Sequence, residues 1–364
     1  MCSMVKVAAA HPPVWGKMGF KLDRDEALKA IAGNVKEITR LIDVAADAGC
    51  IAVAFPEDTL GMTGVLAHHF DNQKPIVDPA VEMLFEAASA RARARSVYVI
   101  VCSDVFDGDA CTNTAVLFGR DGREIGRYRK VNLPIGEQTR KRGDSFGVFA
   151  TEELGGVGMC ICYDMVFPET TRALALAGAD VVFHLTMGGA ACPGKAASDA
   201  AFITRAAENE LYLVVSWREH SRIISPAGEV LAQGETSPHL TVAAFDPFSG
   251  REFGDATGGT WPDHRARLFR ERVPEAYAIL TEATPPVLAR YAETPLPPVD
   301  DVARLAAEVL TTGEERFSAA GKLVEAGKIS EAVREYEAMS EHFGTTWIGR
   351  RSRERLAGLR EQTG

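Results

Sequence analysis

Residues 156–188, GVGMCICYDMVFPETTRALALAGADVVFHLTMG, constrain this chain more than any other stretch. Val157, Met159 and Ile161 alternate with small residues and read as a short buried strand. Tyr163, Asp164 and Pro168 end the run, a helix is predicted over 169–178, and 181–183 form the next strand. The unit is therefore strand, turn, helix, strand, and it commits the chain to an α/β fold. Cys162 falls at the strand-to-helix junction. There a thiol can be held out of the sheet beside backbone N–H groups and a helix N-terminus, which would lower its pKa and supply donors to a developing oxyanion. A cysteine in such a run is by itself more commonly structural, because free cysteine is among the most buried residue types.

The other cysteines, at 2, 50, 102, 111, 160 and 192, form no metal-ligand pattern, and in a chain of this size they do not resemble a disulfide framework. Cys160 and Cys162 are expected on opposite sides of the sheet, so that only one is an exposed thiol. With 364 residues and 46% hydrophobic content, the chain suits one large domain and a smaller one. The first residues lack the basic and apolar segments of a secretion signal. No stretch approaches the roughly 18 apolar residues that span a bilayer, so a cytoplasmic protein is expected, without a membrane partner. A net charge of −10 with no basic face argues against nucleic acid; Arg91, Arg93 and Arg95 read as a charged helix end.

In chain order, residues 5–10 are a buried strand cut off by His11-Pro12-Pro13. Over 25–48 apolar residues recur three and four apart, the pattern of an amphipathic helix that ends at Gly49. A second strand, 51–55, runs into Pro56-Glu57, and a carboxylate at the exit of a buried strand needs a partner or solvent. Helix 78–95 precedes strands 97–102 and 114–118, and Asp121-Gly122 marks a hairpin. The hairpin delivers Tyr128-Arg129-Lys130-Val131-Asn132-Leu133-Pro134, in which Lys130 alone reads as a surface cation. A strand at 148–150 leads into the central stretch. Beyond it lie a helix at 198–211, with Arg205 and Glu208 three apart, and strands at 212–216, 222–224 and 241–245. Helices and strands alternate as βα followed by ββ, which points to an α/β sandwich. After a proline-rich stretch, TPLPPV, the pattern from Asp300 onward is helical.

Taken together, Phe55-Pro56-Glu57, Arg129-Lys130-Val131-Asn132-Leu133-Pro134 and Cys162-Tyr163-Asp164-Met165-Val166-Phe167-Pro168-Glu169 resemble the three signature blocks of the nitrilase superfamily of carbon–nitrogen hydrolases. The resemblance spans about residues 4–280 and includes Arg205-Ala206-Ala207-Glu208-Asn209 and Ser225-Pro226-Ala227-Gly228. It implies an αββα sandwich over 1–280 and pairing of subunits into a four-layer homodimer or higher homo-oligomer, while the proline-rich composition and the helical pattern beyond it set a linker at 281–299 and a helical region at 300–364. By motif, Glu57 would be the general base, Lys130 the cation for the tetrahedral intermediate and Cys162 the nucleophile. Glu137 would orient Lys130 and the substrate nitrogen, and the N–H of Tyr163 would share the oxyanion. No cofactor or metal is implied. Asn132, Thr186, Met187 and Trp217 depart from the family pattern at positions that line or approach the substrate pocket there. Asp164, Glu169 and Arg172 are expected to tie the junction together.

From Gly313 the chain resembles a single tetratricopeptide-type hairpin, with Ala320, Leu323, Gly327, Ile329, Ala332 and Tyr336 at the packing positions. One such unit cannot cover its own apolar face. It is expected to serve assembly or a protein partner, not chemistry. The activity expected is hydrolysis of a small linear amide or carbamoyl compound to acid and ammonia through a thioester. Tyr163-Asp164 after the cysteine resembles the amidase-like branches. Alternatives are a nitrilase, an acyltransferase using the same thioester, and a catalytically inert scaffold, which the complete Glu57, Lys130 and Cys162 set disfavours.

Overall fold

The computed structural model describes residues 4–13, 18–188, 195–217, 220–236, 238–249 and 264–363. In chain order come β1 (Val5–Ala10), α1 (Arg24–Asp47), β2 (Ala52–Ala54), α2 (Thr63–His68), α3 (Lys74–Arg95), β3 (Tyr98–Asp107), β4 (Ala110–Phe118) and β5 (Glu124–Arg129). The second half adds β6 (Val148–Thr151), β7 (Gly155–Ile161), α4 (Pro168–Leu176), β8 (Val181–Thr186), α5 (Lys195–Ala207), β9 (Tyr212–Trp217), β10 (Arg222–Ile224), β11 (Val230–Gln233) and β12 (Leu240–Phe245). α6 (His264–Arg270), α7 (Val299–Glu308), α8 (Glu314–Glu325), α9 (Ile329–His342) and α10 (Trp347–Thr363) follow.

Two six-stranded sheets result, ordered β12-β1-β2-β3-β4-β5 and β11-β10-β9-β8-β7-β6. Each has a parallel centre, β1-β2-β3 in one and β7-β8-β9 in the other, with antiparallel strands outside. Successive side chains of a strand point to opposite faces, and that alternation assembles the layers. Val7 and Ala9 of β1 meet Val157, Met159 and Ile161 of β7 between the sheets, while Ala8 and Ala10 pack under α1 and α3. Cys160, Val182 and Val215 face α4 and α5 on the far side of the second sheet. The layers are helix, sheet, sheet, helix, as the residue pattern predicts.

Local signals set the boundaries. Asp23 accepts from the backbone of Asp25 and Glu26 while Glu26 bonds back to Asp23 N–H, a capping box that starts α1. At the β4–β5 hairpin Gly122 has φ 80°, and a Cβ there would lie 2.5 Å from the carbonyl oxygen of Ser89 on α3, so only glycine fits. Several elements differ from expectation: β11 and α6 lie outside the expected elements, and β3 and β4 run on as a longer hairpin than the strands predicted at 97–102 and 114–118. Helix α3 starts four residues earlier than predicted: Pro75 sits in its first turn, where no N–H is required, and Pro79 lies inside it, with the Pro75 carbonyl accepting from Arg24 Nε at 3.2 Å. The helix predicted to reach 211 ends at Ala207, with Glu210 in the left-handed region. α2 is too short to show a period.

The stretch 281–299 consists largely of exposed 3-10 turns and extended chain, among which Leu288, Tyr291 and Leu296 stand exposed. The helical region has its own core: Ala320, Ala332, Tyr336, Met339, Phe343, Ile348 and Leu356 pack together. α10 covers the face that the hairpin α8–α9 leaves open. No helix among the described residues is long and apolar enough to cross a membrane.

Candidate active site

Three strand exits converge. After β2, Pro56 carries the chain to Glu57, and Asp58 turns it back, at φ 50°, by accepting from Met62 N, Thr63 N and the Thr63 hydroxyl at the start of α2. At the end of β5, Lys130 N–H donates to the Asn113 carbonyl at 2.9 Å, which extends the ladder and turns the lysine side chain inward. β7 stops at Ile161, and Cys162 opens a 3-10 turn with φ 45°. A cysteine held in the left-handed region stores on the order of 1–3 kcal/mol of strain, sustained only where the surroundings over-determine it.

Those surroundings are specific. Asp164 is buried and accepts four bonds: Ile161 N at 2.9 Å, Tyr128 Oη at 2.6 Å, Asn132 N at 2.9 Å and Asn132 Nδ2 at 3.0 Å. It thus ties the cysteine turn to the loop that follows Lys130. On the other side, His184 Nε2 lies 3.1 Å from the Cys162 carbonyl oxygen. Burial holds the imidazole at a pKa of about 4, so it is neutral and Nε2–H is the donor.

The polar cluster is centred on a fully buried lysine. Lys130 has no exposed surface, and its Nζ donates to Glu57 Oε1 at 2.9 Å and to Glu137 Oε2 at 2.8 Å. Glu57 also accepts from Asn113 Nδ2 at 2.9 Å and Met187 N at 3.3 Å, and the Cys162 thiol is within hydrogen-bonding reach of it. Cys162 Sγ lies 3.7 Å from the Gly188 carbonyl. Burial alone would raise the Glu57 carboxyl, but the charge and hydrogen bond of Lys130, with the thiol and Met187 N–H, hold it below the usual range. Burial outweighs Lys130 at Glu137 and the charge on Glu57 adds to it, so that carboxyl is raised. Burial works against the Lys130 ammonium too, yet its carboxylate neighbours raise it well above normal. Two carboxylates on one ammonium are thereby pushed apart, the pattern that separates acid from base.

The thiol differs from expectation. Burial first, and then the negative charge of Glu57, push Cys162 up, with Lys130 opposing. It rests as a thiol, so a base must take its proton. The two cysteines also part for another reason than the one read from sequence. Residues two apart on an unbroken strand share a face; Cys160 points to the helix side because it is still in β7, while Cys162 has left the strand and turns toward the space between the sheets.

Of the other residues singled out from sequence, Glu137 and Met187 line a cavity of about 320 Å³ together with Glu57 and Asn113. Asn132 is engaged by Asp164 and by Thr170 Oγ1 at 3.3 Å, so its amide braces the junction. Tyr163 packs edge-on against Phe167, Thr186 Oγ1 accepts from Gly188 N at 3.2 Å, and Trp217 packs on Phe202 and His220 beside Gly188. Arg172 donates to the Glu208 carbonyl. Sequence reasoning passed over Asn113; its signal was Thr112-Asn113-Thr114, a polar run inside a buried strand. It passed over the helical region as well, since Ala303, Ala306, Ala307 and Leu310 line the same cavity. Elsewhere His11, Glu235 and His239 hold one ligand atom each within 4.8 Å of one another, the one trio among the described residues with the spacing to hold a metal ion.

A buried carboxylate, lysine and thiol thus stand together at three strand exits of an αββα sandwich. The sequence model of the carbon–nitrogen hydrolase family matches residues 15–253, and the chain belongs to that family. A nitrilase of Pyrococcus abyssi is 33% identical over 234 residues, 58% of this chain and 83% of that protein. A deaminated glutathione amidase of Synechocystis is 29% identical over 240 residues, 59% and 86% of the two chains. In fold, the chain is similar to a mutant of the Nesterenkonia AN1 amidase from the nitrilase superfamily, with TM-score 0.58, 20% identity and coverage of 76% of this chain and 97% of that one.

Proposed function

We propose that this hydrolase cleaves the C–N bond of a small amide or carbamoyl compound through a thioester on Cys162. The observation that carries the reading is the desolvated group in which Lys130 contacts both Glu57 and Glu137 while Glu57 reaches the thiol. Because the thiol rests protonated and Glu57 ionised, Glu57 takes the Sγ proton as sulfur attacks the carbonyl carbon. The carbonyl π pair moves onto oxygen, where Lys130 and the N–H of Tyr163 offset the charge; one such donor is typically worth about 2.7–4 kcal/mol. Glu57 then passes the proton to the nitrogen, which leaves as ammonia when the C–N bond breaks, and Glu137 accepts from that nitrogen. Water, deprotonated by Glu57, attacks the thioester and releases the acid and the thiol.

An amide needs its nitrogen protonated before departure, and a carboxylate poised beside the thiol supplies that proton. The similarity to the nitrilase of Pyrococcus abyssi keeps a nitrile as the second reading. Exposed Leu288, Tyr291 and Leu296 support a homo-oligomer in which a second chain covers them. Ammonia release from small amides, carbamoyl compounds and matching nitriles, with intact-mass detection of an acyl adduct, tests the proposal. Cys162→Ala should remove both signals, about 1,000-fold or more in rate, with circular dichroism unchanged. Activity surviving in the alanine variant, or faster turnover of the matched nitrile, would overturn it.

A further inference from the structure

The helical region lies outside the matched family segment, yet its first helix stands over the cavity next to Glu57 and Glu137. Ala303, Ala306 and Ala307 of α7, with Leu310 in the π-helical turn that follows, supply one side of the cavity. Met62, Leu66 and Phe70, in α2 and beside it, supply the other. Three alanines spaced three and four apart let α7 approach closely. A Cβ added at Gly136, next to Glu137, would lie only 3.2 Å from Ala306 Cβ. The helix is fastened at its outer face, where Arg304 pairs with Asp71 at 2.8 Å and stacks on Phe70. Lys21 pairs with Glu315 at 2.8 Å one element further on.

The charges facing this space are already committed. Arg140 forks onto Asp104 with bonds of 2.8 and 2.6 Å, and Asp58 is saturated by Met62 and Thr63. Glu57 and Glu137 hold Lys130. Beside the side chains of Thr63, Gln73 and Asn113, the body of a ligand meets methyl, thioether and phenyl surface.

We propose that α7 forms the acyl-binding wall of the active site and that this wall selects amides with an uncharged, apolar acyl chain. The inference rests on the amide-hydrolase reading and deepens it. A second carboxylate on the acyl group would meet Arg140 only as the ion-pair partner of Asp104, and would face Glu57 and Glu137. A straight aliphatic chain would bury methylenes between α2 and α7, each raising kcat/KM about fourfold. The expectation that the helical region serves assembly alone therefore changes at its first helix.

The test uses the full-length chain and two opposite changes, Ala307→Phe, which fills the wall, and Leu310→Ala, which opens it. For the wild type, kcat/KM for hexanamide should exceed that for succinamate about tenfold or more. Ala307→Phe should lower the hexanamide-to-acetamide ratio about tenfold, and Leu310→Ala should raise the octanamide-to-acetamide ratio. A second readout needs no turnover: Ala307→Phe should slow alkylation of Cys162 by 2-bromohexanamide more than by iodoacetamide, followed by intact mass. Ammonia release from no amide at all would sink the hydrolase reading. Alkylation ratios within about twofold of wild type in both variants would sink the wall. Should Ala307→Phe fail to fold, Leu310→Ala carries the same decision alone.

Discussion

In the sandwich, Lys130, Glu57, Asp164 and Arg265 are buried and bonded to other polar groups, whereas in the helical region the buried polar side chains among the described residues are Thr311 and Ser352. Ion pairs of the bundle, such as Arg316–Glu335 and Arg360–Glu337, lie on its surface. Desolvating a charge costs several kcal/mol, and a well-packed apolar core of the same volume is often more stable. The bundle follows that economy. The sandwich departs from it at Asp164 and Arg265 and again where the thiol, carboxylates and lysine meet; in the function proposed above, that second departure serves chemistry. Exposed pairs in the bundle contribute little and are screened by salt.

Lys130→Met is the strongest way to break the contrast. It leaves Glu57 and Glu137 buried against each other without a cation, so ammonia release should fall about 100- to 1,000-fold. Stability to urea should drop by about 3–5 kcal/mol. A variant as stable as wild type would show that the ammonium is not offsetting buried carboxylate charge. Phe343→Ala, in the bundle, should cost a similar 3–5 kcal/mol through a cavity. Here hydrogen exchange should rise first in α8, α9 and α10, with a loss of turnover well below that of Lys130→Met. Equal loss of exchange protection in β7 and β8 would mean the two regions unfold as one.

The smallest effect is a pH dependence confined to the sandwich. His184 is buried with a pKa of about 4 against 6.5 for the free side chain, so the unfolded state binds the extra proton first. Its contribution is complete above pH 6.5 and lost as pH falls toward 4, about 2 kcal/mol by pH 5. Urea titrations at pH 7 and 5 should show that loss in the wild type and lack it in His184→Gln. A pH-independent wild type would mean that the imidazole is charged in the fold.

Most of the sandwich was legible because periods of two and 3.6 residues report directly on which face is buried, as in β1, β7 and α1. The conjunction of Glu57, Lys130 and Cys162 was legible through the resemblance of their three motifs to the nitrilase signature blocks, each at a strand exit, and not from any one of the residues alone. What was not legible depended on distance. The resting state of the Cys162 thiol follows from burial first and then from Glu57, more than a hundred positions away, and not from the local turn that suggested a low pKa. Asn132 looked like a pocket residue until Asp164 and Thr170 were seen to hold its amide. α7 lacked any chemical group to announce it, since three alanines shape a wall by what they leave out.

The pairing of β1 with β12 joins Val5 to Phe245, so the first sheet closes only when nearly the whole sandwich has been made. Contacts between such distant positions require closing a long loop before they yield any stabilisation, and chains rich in them fold slowly. During that wait β1, an apolar strand with one row of backbone groups unpaired, is an open edge able to recruit another chain. Refolding of this protein should therefore be limited by the arrival of its last strand, and crowding before that step favours aggregation through its first.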